Sequence, residues 1–193
     1  MTRELLSATA ILLTFAAYLP YIRAIHRGET KPHAFSWVIW GCTTVIVFTA
    51  QLAEGGGIGA WPTGLSGLIT FYVAALAHVK RGDRSITRLD WLFLAAALSA
   101  LPLWAATSDA LWAVVILTLV DLAGFGPTVR KAYTRPREEQ LAFFAIMLVR
   151  NVISAIALEH YSVATLLFPL AIAAACALFV PLVLIRRRQV QAT

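Results

Sequence analysis

The sequence predicts an all-α membrane protein in which seven transmembrane helices form two parallel three-helix bundles joined by a linker helix. First, 60% of the 193 residues are hydrophobic and only 13% are charged. These apolar residues come in long runs close to the ~20 residues that cross a bilayer. Second, the basic residues occupy every other break between the runs. Third, a proline followed by a basic loop occurs once in each half of the chain, which indicates a duplicated unit.

The apolar runs give the order of the helices. They cover residues 5–22, 35–53, 58–79, 89–107, 110–129, 139–158 and 161–185. Helices 1–3 and 5–7 cross in the same directions, because a fourth helix between them restores the orientation. We therefore predict a first bundle over residues 1–85, a linker transmembrane helix over 86–107 and a second bundle over 108–193.

The loop charges predict the orientation. Lys and Arg follow the first, third, fifth and seventh runs, whereas the alternate breaks, EGGGIG, TSD and EHY, carry acids and no Lys or Arg. The positive-inside rule places the N-terminus outside and the C-terminus in the cytoplasm, as in a bacterial inner (plasma) membrane. The net charge of +6 therefore reflects membrane topology, and we expect no nucleic-acid partner.

The repeated feature lies at the ends of helices 1 and 5. Pro20 and Pro127 are followed at the same spacing by Arg23 and Arg130. We call the separation between the two prolines the repeat offset. Each proline removes a backbone hydrogen bond and is expected to kink its helix near the cytoplasmic end. Matching kinks in two repeats are what a gate requires, although a proline near a helix end is also common without any function.

Two charges, Asp121 in helix 5 and Arg150 in helix 6, are predicted near the middle of the membrane. A charge facing lipid there costs a few kcal/mol or more, so both should face the protein interior or water. Their predicted depths match, which makes an ion pair between the helices reasonable. The pair is either structural or involved in handling a solute or a proton, and both readings stay open.

Polar residues on two helices predict a site between the bundles. One face of helix 6 has the spacing i, i+3, i+4 and i+7: Met147, Arg150, Asn151 and Ser154. At the repeat offset, helix 2 presents Trp40, Thr43, Thr44 and Val47, and Thr14 corresponds to Asp121. A cavity with one charged wall and one neutral aromatic wall would suit a small polar or zwitterionic solute. Membrane-embedded threonines also serve as interhelical contacts, so Thr14 and Thr44 have that alternative reading.

The sequence has no residue pattern that predicts a metal site or a catalytic site. The cysteines, Cys42 and Cys176, lie within apolar runs, and the four histidines have no metal-ligand spacing. No nucleophile–base pair or carboxylate dyad is predicted at membrane depth. We therefore expect no metal, no cofactor and no enzymatic activity.

The stretch from Pro20 to Trp37, PYIRAIHRGETKPHAFSW, is similar to the first-loop pattern of the SWEET/PQ-loop transporter superfamily, and the predicted 3+1+3 topology resembles that superfamily as well. The glutamine of the Pro-Gln motif is missing here, since the pairs are Pro20-Tyr21 and Pro127-Thr128. The resemblance implies alternating access between two bundles around a central site, in carriers of sugars, amino acids or vitamins.

The leading prediction is therefore a small-solute membrane transporter, proton-coupled or facilitative, acting as a monomer or homodimer in the lipid bilayer. The predicted substrate-binding residues are Trp40, Thr43, Tyr72, Asp121, Arg150 and Asn151. Pro20 and Pro127 are the predicted gating residues. The alternative is a non-transporting membrane receptor or accessory protein on the same fold.

Overall fold

A computed structural model of the chain describes residues 2–29, 32–80, 86–125, 129, 132–133, 136–138 and 140–190. In these ranges the structure contains seven long helices. They are α1 (Arg3–His26), α2 (Ala34–Ala53), α3 (Trp61–Val79), α4 (Arg88–Thr107), α5 (Ala110–Gly124), α6 (Leu141–Ala157) and α7 (Val163–Gln189). Short helical turns lie at Gly57–Ala60 and Pro136–Glu138. The prediction of an all-α protein is confirmed.

The helices are those expected of an integral membrane protein. By length and composition, α1, α2, α4, α7 and the continuous segment Gly57–Val79 are long and apolar enough to cross a membrane. The apolar helices α5 and α6 are shorter, at 15 and 17 residues. The prediction had extended helix 5 to residue 129, and residues 126–128 of that stretch lie outside the described residues.

Polar residues that precede the apolar runs fix where several helices begin. Thr87 and Ser162 form capping boxes at the starts of α4 and α7, and the side chain of Asp109 accepts from the N–H of Leu111 at the start of α5. Helix α1 continues to His26 rather than ending at residue 22, and Pro20 lies inside it, as it does in the predicted range 5–22. One missing N–H removes only one helical bond, so the chain can continue past it. The kink at Pro20 stays a prediction.

The three helices on either side of α4 pack in the same order. α3 packs against both α1 and α2, and α7 packs against both α5 and α6. The first set contacts the second mainly through α1 on α6 and α2 on α5, whereas α4 lies against α5 and α2. Because α1 and α5 take equivalent places in these contacts, as do α2 and α6, the two halves of the chain are arranged alike.

Individual contacts show the helix directions. Tyr18 and His26 of α1 contact Ser66 and Tyr72 of α3 respectively, so these two helices run parallel. Thr14 and Tyr18 contact residues of α6 in reverse order, at Arg150 and Phe143, so α6 runs antiparallel to α1. We call the end where α1, α3, α5 and α7 finish the basic end, and the opposite end the acidic end, after their loop charges.

Two glycines allow α3 to approach α2 closely. A Cβ atom on Gly64 would lie 2.9 Å from the ring of Phe48, and one on Gly67 would lie 2.7 Å from Val45 Cγ2. Small residues at such positions let membrane helices gain van der Waals contact without an aqueous hydrophobic effect between them.

An amide from α2 compensates for a proline in α7. Pro169 lies inside α7 and has no N–H to donate to the carbonyl of Thr165 four residues earlier. The side chain of Gln51, which is fully buried, donates from Nε2 to that carbonyl at 2.8 Å. The bond therefore satisfies a carbonyl that would be unpaired in an apolar environment and joins the two halves of the chain.

We predict that Gln51→Leu lowers the free energy of unfolding by about 1 kcal/mol, because it leaves the Thr165 carbonyl without this donor. In a Pro169→Ala background the N–H of residue 169 can donate to that carbonyl, so the same substitution should cost less. Thermal unfolding of the four proteins in detergent measures this double-mutant cycle. An equal cost of Gln51→Leu in both backgrounds would contradict the explanation.

Candidate functional site

A cavity of about 340 Å³ lies among α1, α2, α3, α5, α6 and α7. Helix α2 lines it with Trp37, Trp40 and Thr44 from its first half, and the α6 side lines it from Gln140 to Asn151. Both helices start at the basic end, whereas Ser66 of α3 and Phe168 of α7 come from the first halves of helices that start at the acidic end, so the cavity extends from the basic end past the middle of the bundle. Gln140 at this end is exposed, whereas Asn151 at the other end of the cavity is buried.

Equivalent positions of the two halves line the cavity. At the repeat offset, four pairs have both members in its wall: Tyr18 with Phe125, Trp37 with Phe144, Trp40 with Met147, and Thr44 with Asn151. Of these eight positions the sequence analysis had selected Trp40 and Asn151 as binding residues. The aromatic members could have been found by applying the same offset to Tyr18 and Trp37.

Asp121 places a carboxylate at the cavity. The side chain is partly exposed and lines the wall. The hydroxyl of Thr43, which is fully buried behind it, lies 3.0 Å from Asp121 Oδ1 and 3.0 Å from the Trp40 carbonyl oxygen, and it can donate its single proton to either acceptor. The other oxygen, Oδ2, has no hydrogen-bond donor among the described residues. One oxygen is therefore held by α2 and the other is available to a ligand.

Arg150 is buried at the acidic end of the cavity, with 2% of the residue exposed. Its Nε donates to Thr14 Oγ1 at 3.1 Å, and Nη1 donates to Asn151 Oδ1 at 2.7 Å. Nη2 donates to the carbonyl oxygen of Pro62. Each nitrogen of the guanidinium group thus has a protein acceptor, and the side chain connects α6 to α1 and α3.

The two charged contacts are equivalent under the repeat. Thr14 corresponds to Asp121, and Thr43 corresponds to Arg150, at the repeat offset. Arg150 of the second half bonds Thr14 of the first, and Asp121 bonds Thr43. Thr14 donates its own proton to the Ala10 carbonyl at 2.8 Å, which leaves its oxygen to accept from Arg150. A threonine hydroxyl can therefore donate a hydrogen bond to a carboxylate or accept one from a guanidinium group.

The ion pair expected between Asp121 and Arg150 is not formed. Both residues are described, and no salt bridge joins them; the ion pair found in the described ranges joins Arg27 and Glu29 at the basic end, at 3.9 Å. The hydroxyls and a backbone carbonyl satisfy the two charges instead. The predicted ion pair is therefore wrong, and the two groups act at separate places.

Aromatic side chains form the wall of the cavity near the basic end. Trp37 lies at their centre: Tyr21 stacks on it with ring centroids 5.2 Å apart, and Trp40 meets it edge-on at 5.4 Å. The indole Nε1 of Trp40 lies against Gly124, where a Cβ atom would be only 2.8 Å away. Trp40 is therefore held against α5 one turn from Asp121.

Helix α3 contributes hydroxyls to the cavity through residues that were not predicted. The hydroxyl of Tyr18 lies 3.1 Å from Ser66 Oγ and 3.3 Å from Thr70 Oγ1, and all three residues line the cavity. Tyr72, the predicted residue of this helix, is not in the cavity wall. It is 50% exposed, and its hydroxyl lies 3.4 Å from His26 Nε2. Two residues along a helix turn the side chain by about 200°, which separates Tyr72 from Thr70.

The acidic end is closed by hydrogen bonds between α6 and the segment before α3. Ser154 donates to the Gly59 carbonyl at 3.0 Å, and the N–H of Glu159 donates to the Gly56 carbonyl at 3.1 Å. The N–H of Ile58 in turn donates to Glu159 Oε1 at 3.0 Å. We call these contacts between residues 56–59 and residues 154–159 the acidic-end seal.

Close backbone packing reinforces this seal. A Cβ atom on Gly59 would overlap the backbone at Ala157 and Leu158, which no side-chain rotation could relieve. Leu158 is fully buried, and Ser7 of α1 donates to the Ile58 carbonyl at 2.7 Å. The Arg150 contacts and the seal therefore separate the cavity from the acidic end.

The remaining predicted residues have these locations. Pro20 is exposed on α1 and does not line the cavity, and Pro127 lies outside the described residues. Among the described residues, no group of three or more His, Cys, Asp or Glu is placed to hold a metal ion. The candidate site is consequently the aromatic cavity with Asp121 in its wall.

No family model, curated protein or solved structure matches the chain. Function must therefore be argued from the chemistry of the site, since a fold alone does not determine it.

We predict that Arg150→Lys lowers the free energy of unfolding by about 2 kcal/mol or more, because one ammonium nitrogen cannot reach acceptors on three helices. Arg27→Lys is the matched control, since that side chain is 70% exposed and should tolerate the change. Thermal unfolding in detergent provides the measurement. Equal stability of the two variants would show that the three contacts of Arg150 are not needed together.

Proposed function

We propose that the protein is a small-solute membrane carrier that works by alternating access between two three-helix units, α1–α3 and α5–α7. This agrees with the resemblance of the Pro20–Trp37 stretch to the SWEET/PQ-loop superfamily. In the proposed orientation the basic end faces the cytoplasm, as the positive-inside rule predicts. The solute occupies the aromatic cavity.

The observation that carries the proposal is a cavity lined by equivalent positions of both halves and sealed at one end. A carrier of this kind rocks one repeat against the other around a fixed site, so each state closes one end of the cavity. The acidic end is the closed one here, and the wall near the basic end includes the exposed Gln140. In the proposed cycle, with the basic end in the cytoplasm, this arrangement is the cytoplasm-facing state.

The acidic-end seal is then the outer gate. Its contacts are hydrogen bonds between the halves, from Ser154 to Gly59 and between Glu159 and residues 56–58. Such bonds contribute about 1 kcal/mol each and can be exchanged for bonds to water when the outer end opens. A few bonds of this strength can be broken and remade during transport.

The same seal favours the alternative function if it never opens. A membrane receptor or accessory protein would keep the cavity as a ligand pocket reached from the basic end alone. The two functions differ in one measurable property, which is whether the acidic face can reach the cavity.

We predict that a cysteine at the cavity residue Ser66 reacts with a membrane-impermeant thiol reagent added to either face of the membrane. The variant Ser66→Cys is made with Cys42 and Cys176 replaced by alanine, and labelling is compared in right-side-out and inverted vesicles. Labelling from the acidic face requires the seal to open. Labelling from the basic face alone would contradict the carrier and favour the receptor.

A crosslink across the seal provides the control. A Cβ atom on Gly55 would lie 3.5 Å from the Cβ of His160, within the roughly 3.5–4.5 Å typical of disulfides. The pair Gly55→Cys and His160→Cys, once oxidised, should abolish labelling of residue 66 from the acidic face and leave labelling from the basic face intact. Reduction should restore it. Unchanged labelling from the acidic face in the oxidised protein would contradict the gate.

A further inference from the structure

Within the proposed carrier function, we propose that the cavity selects an organic cation with a flat, apolar body and uses Asp121 as its counter-ion. This differs from the small polar or zwitterionic solute that the sequence predicts. It depends on the unequal availability of the two charges of the site and on the rings around the carboxylate.

The carboxylate is the charge that a ligand can reach. Asp121 is partly exposed in the cavity wall, and only its Oδ1 has a protein donor, Thr43, among the described residues. A carboxylate at membrane depth is costly unless a charge or hydrogen-bond donors compensate it, and no cationic side chain in the described part of the chain lies within ion-pair distance of Asp121. An ammonium group bound at Oδ2 would supply that compensation.

The guanidinium group is not comparably available to an anion. Arg150 is 2% exposed, and its Nε, Nη1 and Nη2 donate to Thr14, Asn151 and Pro62. These bonds use three of the five N–H groups of the guanidinium, and a solute carboxylate could reach the other two only through the 2% of the residue that is exposed. A zwitterion would therefore have to place its carboxylate against neutral hydroxyl and amide groups of the wall rather than against an exposed cationic side chain.

Two aromatic side chains line the cavity within one helical turn of Asp121 along α5. Trp40 is held against Gly124 of α5, and Phe125 lies one helical turn after Asp121; both rings line the cavity. The faces of Trp and Phe attract cations, and flat rings stack between such side chains. A cation with an aromatic body can satisfy the carboxylate and the apolar wall together, and a cavity of about 340 Å³ falls in the size range of small-molecule sites.

Three indole compounds of nearly the same shape test the inference. Tryptamine carries an ammonium group, tryptophol has a hydroxyl in its place, and tryptophan adds a carboxylate. Isothermal titration of the purified protein in detergent should show tryptamine binding at least tenfold more tightly than the other two. Tryptophan or tryptophol binding as tightly as tryptamine, or none of the three binding, would overturn the inference.

Two Asp→Asn variants, one in the cavity wall and one outside the cavity, identify the counter-ion. Asp121→Asn should weaken tryptamine at least tenfold and leave tryptophol unchanged, which also shows that the cavity remains folded. Asp109→Asn is the matched control, because Asp109 caps the start of the same helix outside the cavity. A loss of tryptamine binding in both variants, or in neither, would overturn the role of Asp121.

This experiment is separate from the test of transport. Binding in detergent needs no gate, so a tryptamine preference combined with labelling of residue 66 from one face only would retain the cation site and reject the carrier. Labelling from both faces without a tryptamine preference would retain the carrier and reject the cation site.

Discussion

The structure depends on how two charges are held at membrane depth without contacting each other. Arg150 bonds Thr14 of the opposite half, and Asp121 bonds Thr43 of the opposite half. Because the two contacts lie at equivalent positions of the two halves, the same pairing of a charged residue with a threonine binds a cation in one contact and an anion in the other. The threonine oxygen accepts in the first contact, and the threonine hydroxyl donates in the second. The halves are thereby joined while one carboxylate oxygen remains without a partner among the described residues.

The cavity and the seal follow from the same arrangement. Arg150 lies at the inner end of the cavity, Ser154 follows it on α6, and Glu159 lies just after the end of α6. Ser154 and Glu159 both bond the backbone of the segment before α3. The Gln51 amide bonds Thr165 of α7 beside Pro169 and makes a further contact between the halves. These donors and acceptors therefore pair across the interface, as an apolar solvent favours, whereas Gln51 Oε1 and Thr63 Oγ1 are buried without a hydrogen-bond partner among the described residues.

The sequence predicted the helical membrane fold and the importance of particular residues better than their contacts. Apolar run length and loop charge are local signals, so the helices and their order could be predicted, and the repeat offset related Thr14 and Thr43 to the two charges. The partners could not be predicted, because equal depth is compatible with an ion pair or with two separate contacts. Tyr72 lies outside the cavity wall because the sequence does not determine how α3 is rotated at that depth, and the role of Pro20 as a gating residue stays a prediction. The acidic-end seal uses backbone atoms, which the side-chain pattern does not reveal.

The most direct test of this account is a set of double-mutant cycles on the four residues. Thr14→Val, Thr43→Val, Asp121→Asn and Arg150→Lys are combined in pairs, and the free energy of unfolding is measured in detergent. Residues in contact typically couple by about 0.5–3 kcal/mol, whereas separate residues add within about 0.5 kcal/mol. We expect coupling for Thr14 with Arg150 and for Thr43 with Asp121, and additivity for the crossed pairs. Coupling in the crossed pairs, Thr14 with Asp121 and Thr43 with Arg150, together with additivity in the other two would contradict the account.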